Sequence, residues 1–299
     1  MKLSVIVATR NRAHAIRPCL DSIAAAIANA GLIDAEIVVV DNGSTDNTAQ
    51  IVSAWVAGSR VPAKSLLEPR VGKSRALNRA LVAAEGGLLA FTDDDCRLHP
   101  EYVNDLLRYD ASDTELVLRC GRIELGDPTD LPLTINTSPT RIRWSRSINS
   151  ARRENFLGKI NGCNITMRRA LIERVGPFDE QFGPGSRFAG EDTDFIFRAY
   201  LHRATLEYVP DMTVFHHHGR KTPDAGRKLM RTYMIANGAL CARYFFKHPN
   251  LCRPFYWDVK YAVREIINGT NTFLPAIGFS YRHKVAYTVR GALIYILTC

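Results

Sequence analysis

The chain has 299 residues, 46% of them hydrophobic and 27 aromatic (13 Phe, 11 Tyr, 3 Trp), so it can build one large domain or two ordinary ones and is too apolar for disorder. Its net charge of +9 is lopsided: up to Ala225, 28 Lys+Arg balance 28 Asp+Glu, whereas from Gly226 onward 11 Lys+Arg stand against Asp258 and Glu265 alone. The 7 cysteines are widely spaced without a CxxC, which argues against a zinc site or disulfide framework and for a reducing cytosol; the N-terminal apolar stretch is too short for a signal peptide, and no run is long enough for an ordinary membrane-spanning helix.

The first hundred residues alternate strand and helix signals. "LSVIVAT" (3–9) reads as a buried strand, "AIRPCLDSIAAAIANA" (15–30) as a helix stopped by Gly31, and "AEIVVVDNGS" (35–44) as a second buried strand ending at Asp41. A helix over 45–58 is expected to be capped by Ser44 or Thr45; then come a strand at 64–69, a helix over 72–87 and a strand over 88–95. Such alternation predicts an α/β fold with a mostly parallel sheet flanked by helices, and ligands bind beyond the carboxyl ends of such strands. Thr9, Asp41 and Asp93 all fall at those ends.

Residues 120–160 look less regular: a Pro/Thr-rich loop at 126–140 is followed by the basic, helix-compatible "RIRWSRSINSARREN" (141–155). From 162 the order reads strand, helix, Gly-rich loop (182–190, a candidate mobile segment), helix, and a late strand through "LEYVPDMTVFHHHG" (206–219). The charge step suggests a catalytic domain over 1–225 and a basic, aromatic, helical region over 226–299.

The chemistry concentrates in "TDDDC". An acidic triplet can be no more than a solvated turn, but this one ends a buried strand. If the extended geometry persists, Asp93 and Asp95 point the same way. Close carboxylates repel unless a cation lies between them, and a hard divalent ion carrying phosphate oxygens would serve. In "GEDTDF", Glu191 and Asp192 open a helix, where acidic residues also serve the dipole without any catalytic role.

Taken together, "VIVATRNR", "VVVDNGSTDNT", "GKSRALNRAL", the aspartate triplet and "NGCNITMRR…VGPFDEQF…GEDTDFIFR" resemble, in order, the motifs of family 2 glycosyltransferases, which have the GT-A fold. The resemblance covers about 1–219. It implies that Thr9 and Asp41 contact the nucleoside base, Asp93 the ribose or metal, and that Asp95 is the principal metal ligand with Asp94 orienting. Arg10 and Arg12 lie close enough in sequence to serve the same region, Arg10 as a donor-binding candidate, neither with a specific contact. Lys73 and Arg75, near a helix start, would face base or phosphate, unless they merely line a solvated helix face. The second acidic residue of the Glu-Asp pair is the family's general base, here Asp192, with Asp194 as the alternative. Glu191 would bind acceptor hydroxyls, and Asn164 would sit near acceptor or donor sugar, unless it only holds a turn. His216, then His218, would complete coordination of Mn2+ or Mg2+.

The implied reaction is a metal-dependent, inverting transfer from a nucleoside-diphosphate sugar, UDP-sugar first, to a hydroxyl of a lipid-linked saccharide, in cell-surface polysaccharide or glycolipid synthesis. Thirteen of the 27 aromatics follow Gly226, interleaved with Arg and Lys, a composition suited to an anionic membrane surface. That places the protein peripherally at the inner face of the cell membrane; an oligomer interface is the other use of such a region, and no nucleic-acid module is readable. A sugar-nucleotide nucleotidyltransferase lacks support because "ATRNRAH" stands where its Gly-rich loop belongs. A catalytically silent sugar-nucleotide or membrane-binding scaffold would have no need of Asp41, Asp93, Asp95 and Asp192 together.

Overall fold

The computed structural model describes residues 1–31, 33–145, 156 and 158–299; most of the helix-compatible basic segment, 146–155, lies outside the described residues. The chain divides into two compact units. The first comprises Met1–Pro128, Thr134–Glu180 and Glu191–His218; the second comprises Thr129–Leu133, Gln181–Gly190 and Gly219–Cys299. The charge step at 225/226 falls inside α7 (Pro223–Tyr244) rather than at the passage between units.

In the first unit, β1 (Leu3–Thr9), β2 (Ala35–Asp41), β3 (Ala63–Leu67) and β4 (Leu88–Asp93) run parallel in the order β3-β2-β1-β4. They are linked by α1 (Ile16–Asn29), α2 (Thr48–Gly58) and α3 (Lys73–Ala83). Beyond β4 the sheet becomes mixed. β8 (Asn164–Arg168) is antiparallel to β4 and to β6 (Val117–Leu125), β6 runs parallel to β9 (Thr205–His216), and β5 (Cys96–Leu98) and β7 (Ile142–Trp144) pair antiparallel with β9. The α/β class is as expected; the first four strands are wholly parallel, and beyond them the β6–β9 pair alone is parallel among the described residues.

The region read as irregular, 120–160, holds the second part of β6, and Ile142–Trp144 is a strand rather than part of a helix. Also absent from the sequence reading is α4 (Tyr102–Ala111); α5 (Arg169–Val175) and α6 (Glu191–Leu201) follow β8. β2 is buried along its whole length, as a central strand covered on both faces must be. α1 buries Ile16, Cys19, Leu20, Ile23, Ala26 and Ile27, the stripe that a 3.6-residue period presents to a sheet. Each large apolar side chain in it stabilises the fold by about 1.5–3 kcal/mol.

The second unit is helical: α7, a 3₁₀ turn at Pro249–Cys252, α8 (Arg253–Asn268), a 3₁₀ turn at Pro275–Ile277 and α9 (Tyr281–Thr298). α7 and α9 approach backbone to backbone at Gly238 and Gly291: a Cβ on the first would run into the carbonyl of Thr288, and one on the second into that of Ile235. Met230, Met234, Ile277 and Phe279 form the core of this unit. The Gly-rich loop, a candidate mobile segment in the sequence, is instead tied down: Phe182 and Phe188 are buried, and the Phe188 ring lies 6.0 Å from that of Tyr295 on α9.

α8 is built the opposite way from α1. Its buried positions are Asp258, Ala262 and Glu265, while Trp257 is 41%, Ile266 62% and Ile267 77% exposed. Asp258 meets Lys284 of α9 at 2.9 Å, and Glu265 accepts from the Thr272 and Arg282 backbone N–H groups. α9 likewise buries Thr288 and Gly291 and exposes Leu293, Ile296 and Leu297.

Candidate active site

The site grows from the carboxyl ends of the parallel strands. The register sets Thr9 opposite Asp41 and Ala8 opposite Asp93, so three chain segments far apart in sequence release their polar residues at one edge. Two loops then lock together. Asn11, at φ 54°, accepts from the Thr45 N–H at 2.8 Å. The Asn11 and Arg12 N–H groups donate to Ser44 Oγ at 2.9 Å and Thr48 Oγ1 at 2.8 Å. Asp41 accepts from the N–H and hydroxyl of Ser44. The Ser44 side chain is thereby spent on loop–loop contacts, and α2 begins at Thr48 after Asn47 with no side-chain cap, contrary to the expected Ser44 or Thr45 cap. Asn42, which the sequence reading passed over, is buried and holds the approach to α3 through the Glu68 and Arg70 carbonyls and the Gly72 N–H.

This clamp aims Arg12 at the aspartates. Its guanidinium lies 3.2 Å from Asp94 Oδ1 and 3.2 Å from Asp95 Oδ2. Burial pushes Asp94 up to about 6, with Arg12 pulling the other way. Asp95 also lies 3.3 Å from His216 Nε2. Burial disfavours the charged ring, but the Asp95 carboxylate outweighs it and lifts His216 to about 9. The His218 ring packs edge-on against His216 at 5.2 Å.

Asp93 goes elsewhere. Its carboxylate is 2.5 Å from Lys73 Nζ, which also reaches Glu191 at 3.0 Å. β4 ends at Asp93 and the chain turns at Asp94 and Asp95, so the strand alternation that would have aligned Asp93 with Asp95 stops one residue too early. The two carboxylates are therefore held by different cations of the chain itself. Burial works against the charge on Lys73, yet Asp93 and Glu191 hold it well above the ordinary lysine value; burial raises Glu191, and Lys73 opposes the rise.

Lys73, Asp93, Gly162, Phe178, Glu191 and Asp192 line one cavity. Asp192 accepts from the Gly162 N–H at 2.8 Å through Oδ2 and from the Thr193 N–H at 2.7 Å through Oδ1. A side chain on Gly162 would strike Asp192, so the close approach of the two residues suits glycine there.

Three candidates are placed differently from the expectation. Asn164 is fully buried, giving its amide to the Arg122 and Met212 carbonyls and accepting from Tyr102 Oη; it ties strands together and presents nothing to a sugar. Arg75 turns to Glu180 at 3.0 Å, and Asp194, the alternative base, is fully buried against Arg198 at 2.8 Å. Arg10 is exposed at the end of β1. The "GxxxAxN" asparagine, Asn78, serves the fold: it exchanges two hydrogen bonds with the Phe178 backbone and so sets a wall of the cavity.

Residues 4–176, more than half of the chain, match the family model described as "Glycosyl transferase family 2". The chain belongs to glycosyl transferase family 2, a family of transferases. The chain is 27% identical over 214 residues to a protein described as putative glycosyltransferase EpsH of Bacillus subtilis, covering 69% of this chain and 58% of the relative. It is 26% identical over 288 residues to validoxylamine A glucosyltransferase of Streptomyces hygroscopicus, covering 86% and 63%. The chain thus spans about three-fifths of the length of these family 2 relatives. Its fold is that of S. aureus TarS 1-349, solved with UDP-GlcNAc (TM-score 0.58, 19% identity, 99% of this chain and 92% of that one). It is equally that of the mannosyltransferase PcManGT of Pyrobaculum calidifontis, solved with GDP-Man and Mn2+ (0.58, 20%, 98% and 86%).

Proposed function

We propose that this family 2 chain transfers a sugar from a nucleoside-diphosphate sugar to an acceptor hydroxyl, with inversion at the anomeric carbon. The observation that carries the reading is the meeting of donor-side and acceptor-side carboxylates in one cavity: Asp93 from the end of β4, with Glu191 and Asp192 from the start of α6. Thr9 and Asp41 border the same strand ends and take the nucleoside, a uridine in the first instance. Asp192 is the general base. Its backbone donors fix the carboxylate in place, and an acceptor hydroxyl becomes a competent nucleophile as that carboxylate takes its proton. Lys73 supplies positive charge beside the leaving diphosphate, and Glu191 holds Lys73 and meets acceptor hydroxyls.

A divalent ion fits Asp95 and His216, a carboxylate and an imidazole already 3.3 Å apart, with Asp93 and Asp94 close by in sequence; Mn2+ and Mg2+ are the ions in question. When bound, it would stabilise the charge on the departing diphosphate.

The acceptor we propose is a lipid-linked saccharide of cell-surface polysaccharide or glycolipid synthesis, met at the inner, anionic membrane surface. Among the described residues no helix is long and apolar enough to cross a membrane. α8 and α9 instead turn apolar and aromatic side chains outward, and the two acidic residues after Gly226 are buried, so what faces out is apolar and basic. That combination suits headgroup depth on anionic lipid.

The test follows nucleoside diphosphate release from a panel of sugar nucleotides, with Mn2+, Mg2+ or EDTA and a membrane extract as acceptor. Release from one donor is expected, falling about 10²–10⁴-fold in Asp192→Asn. Release that survives Asp192→Asn unchanged would remove Asp192 from the chemistry.

A further inference from the structure

Spacing along the chain conceals a cluster that the fold assembles. Cys96 opens β5 and is the direct antiparallel partner of His216 on β9, so the two side chains stand on the same face of the sheet. Cys163 comes from the turn before β8, anchored through its carbonyl by Thr92 Oγ1 at 2.9 Å. The two sulfurs and a His216 ring nitrogen all lie within 4.8 Å of one another, and all three residues are buried. Asp95, one residue before Cys96, sits 3.3 Å from His216 Nε2.

We propose that Cys96, Cys163 and His216, closed by Asp95, form a binding site for a thiophilic divalent cation of the zinc class. Zinc–sulfur and zinc–nitrogen bonds of about 2.3 and 2.0 Å set tetrahedral ligands about 3.3–3.8 Å apart, so Cys96, Cys163 and His216 need close in by no more than about 1.5 Å, while Asp95, near the His216 ring only, has farther to swing. Two sulfurs, one nitrogen and one oxygen are a donor set for zinc rather than for Mn2+ or Mg2+, which favour oxygen. Binding releases three protons to solvent, one from each thiol and one from the His216 ring. The resulting charge of two thiolates and a carboxylate is offset by the ion and by Arg12, which already lies 3.2 Å from Asp95. Cys163 follows Gly162, a residue of the cavity wall.

The site differs from the oxygen-rich one proposed for the donor's metal, yet draws on the same Asp95 and His216. If the Mn2+ or Mg2+ reading above holds, the two ions exclude each other, and zinc inhibits by removing a ligand pair. The binding test does not depend on that reading. The full-length, reduced, metal-free protein is titrated with Co2+, whose bond to thiolate gives a charge-transfer absorption in the near ultraviolet. A band saturating at one equivalent and displaced by one equivalent of Zn2+ is expected. It should be lost in Cys96→Ser and in Cys163→Ser, and kept in Cys241→Ser, whose thiol meets that of Cys252 in the second unit. Absence of the band in the unmodified protein overturns the proposal whether or not the serine variants fold. So does a band that disappears only in Cys241→Ser.

Discussion

Ile37 and Ile267 are the same side chain in opposite surroundings: Ile37, in the middle of β2, is 0% exposed and Ile267, on α8, is 77% exposed. The contrast extends to their neighbours. Around Ile37 the strand is buried along its length; on α8 it is Asp258 and Glu265 that are buried while the apolar residues face out. The first unit is arranged for water. The α8–α9 pair is arranged as a helix pair would be if its outer medium were apolar, with its polar groups satisfying one another inside. The lesson is that burial cannot be read from residue type alone; it depends on what an element packs against.

Three substitutions sharpen or break this comparison. Ile37→Ala removes packed methylenes from a closed core and should cost about 2–5 kcal/mol in urea unfolding. A cost no larger than that at an exposed position would show the sheet core to be loosely packed. Glu265→Ala strands the Thr272 N–H and should destabilise by about 1–3 kcal/mol, with faster amide exchange confined to α8 and the turn after it. Burial alone would raise the Glu265 carboxyl, but the backbone donors outweigh it and hold it below its ordinary value. This contribution is therefore complete above the unfolded carboxylate value of about 4.3 and is lost as the pH falls through the lower folded one. Ile267→Ala should change stability by less than about 0.5 kcal/mol. Its effect should appear in flotation with anionic vesicles, where binding weakens severalfold; unchanged flotation would leave the outward apolar face without a role at a membrane.

Much of the site was legible because its parts sit at strand ends. "VIVAT", "IVVVD" and "LLAFTD" each run apolar residues into a polar terminus, and parallel pairing then has no choice but to gather those termini at one edge. Asp192 stood out by its motif, and it lines one cavity with Asp93. The cations were harder. Lys73 and Arg75 are two residues apart on one helix start, and nothing in the spelling says that the first bridges Asp93 and Glu191 while the second turns to Glu180. Asn164 read as a possible sugar contact and proved to be a fully buried tie, because a side-chain amide reports its partners only once the neighbouring carbonyls are in place.

By itself the sequence determined the order of strands and helices as far as β4, the edge where the polar strand ends gather, and the basic, aromatic character of the last quarter, since each follows from local periodicity and composition. The tertiary structure alone decided which cation holds which aspartate, that Asp93 and Asp95 part company at the turn, that Cys96, Cys163 and His216 converge, and that α8 turns its apolar face outward. The physical reason is the same in each case: these are pairings between segments distant in the chain, and their distances and burial exist only once the sheet register and the helix packing have brought the segments together.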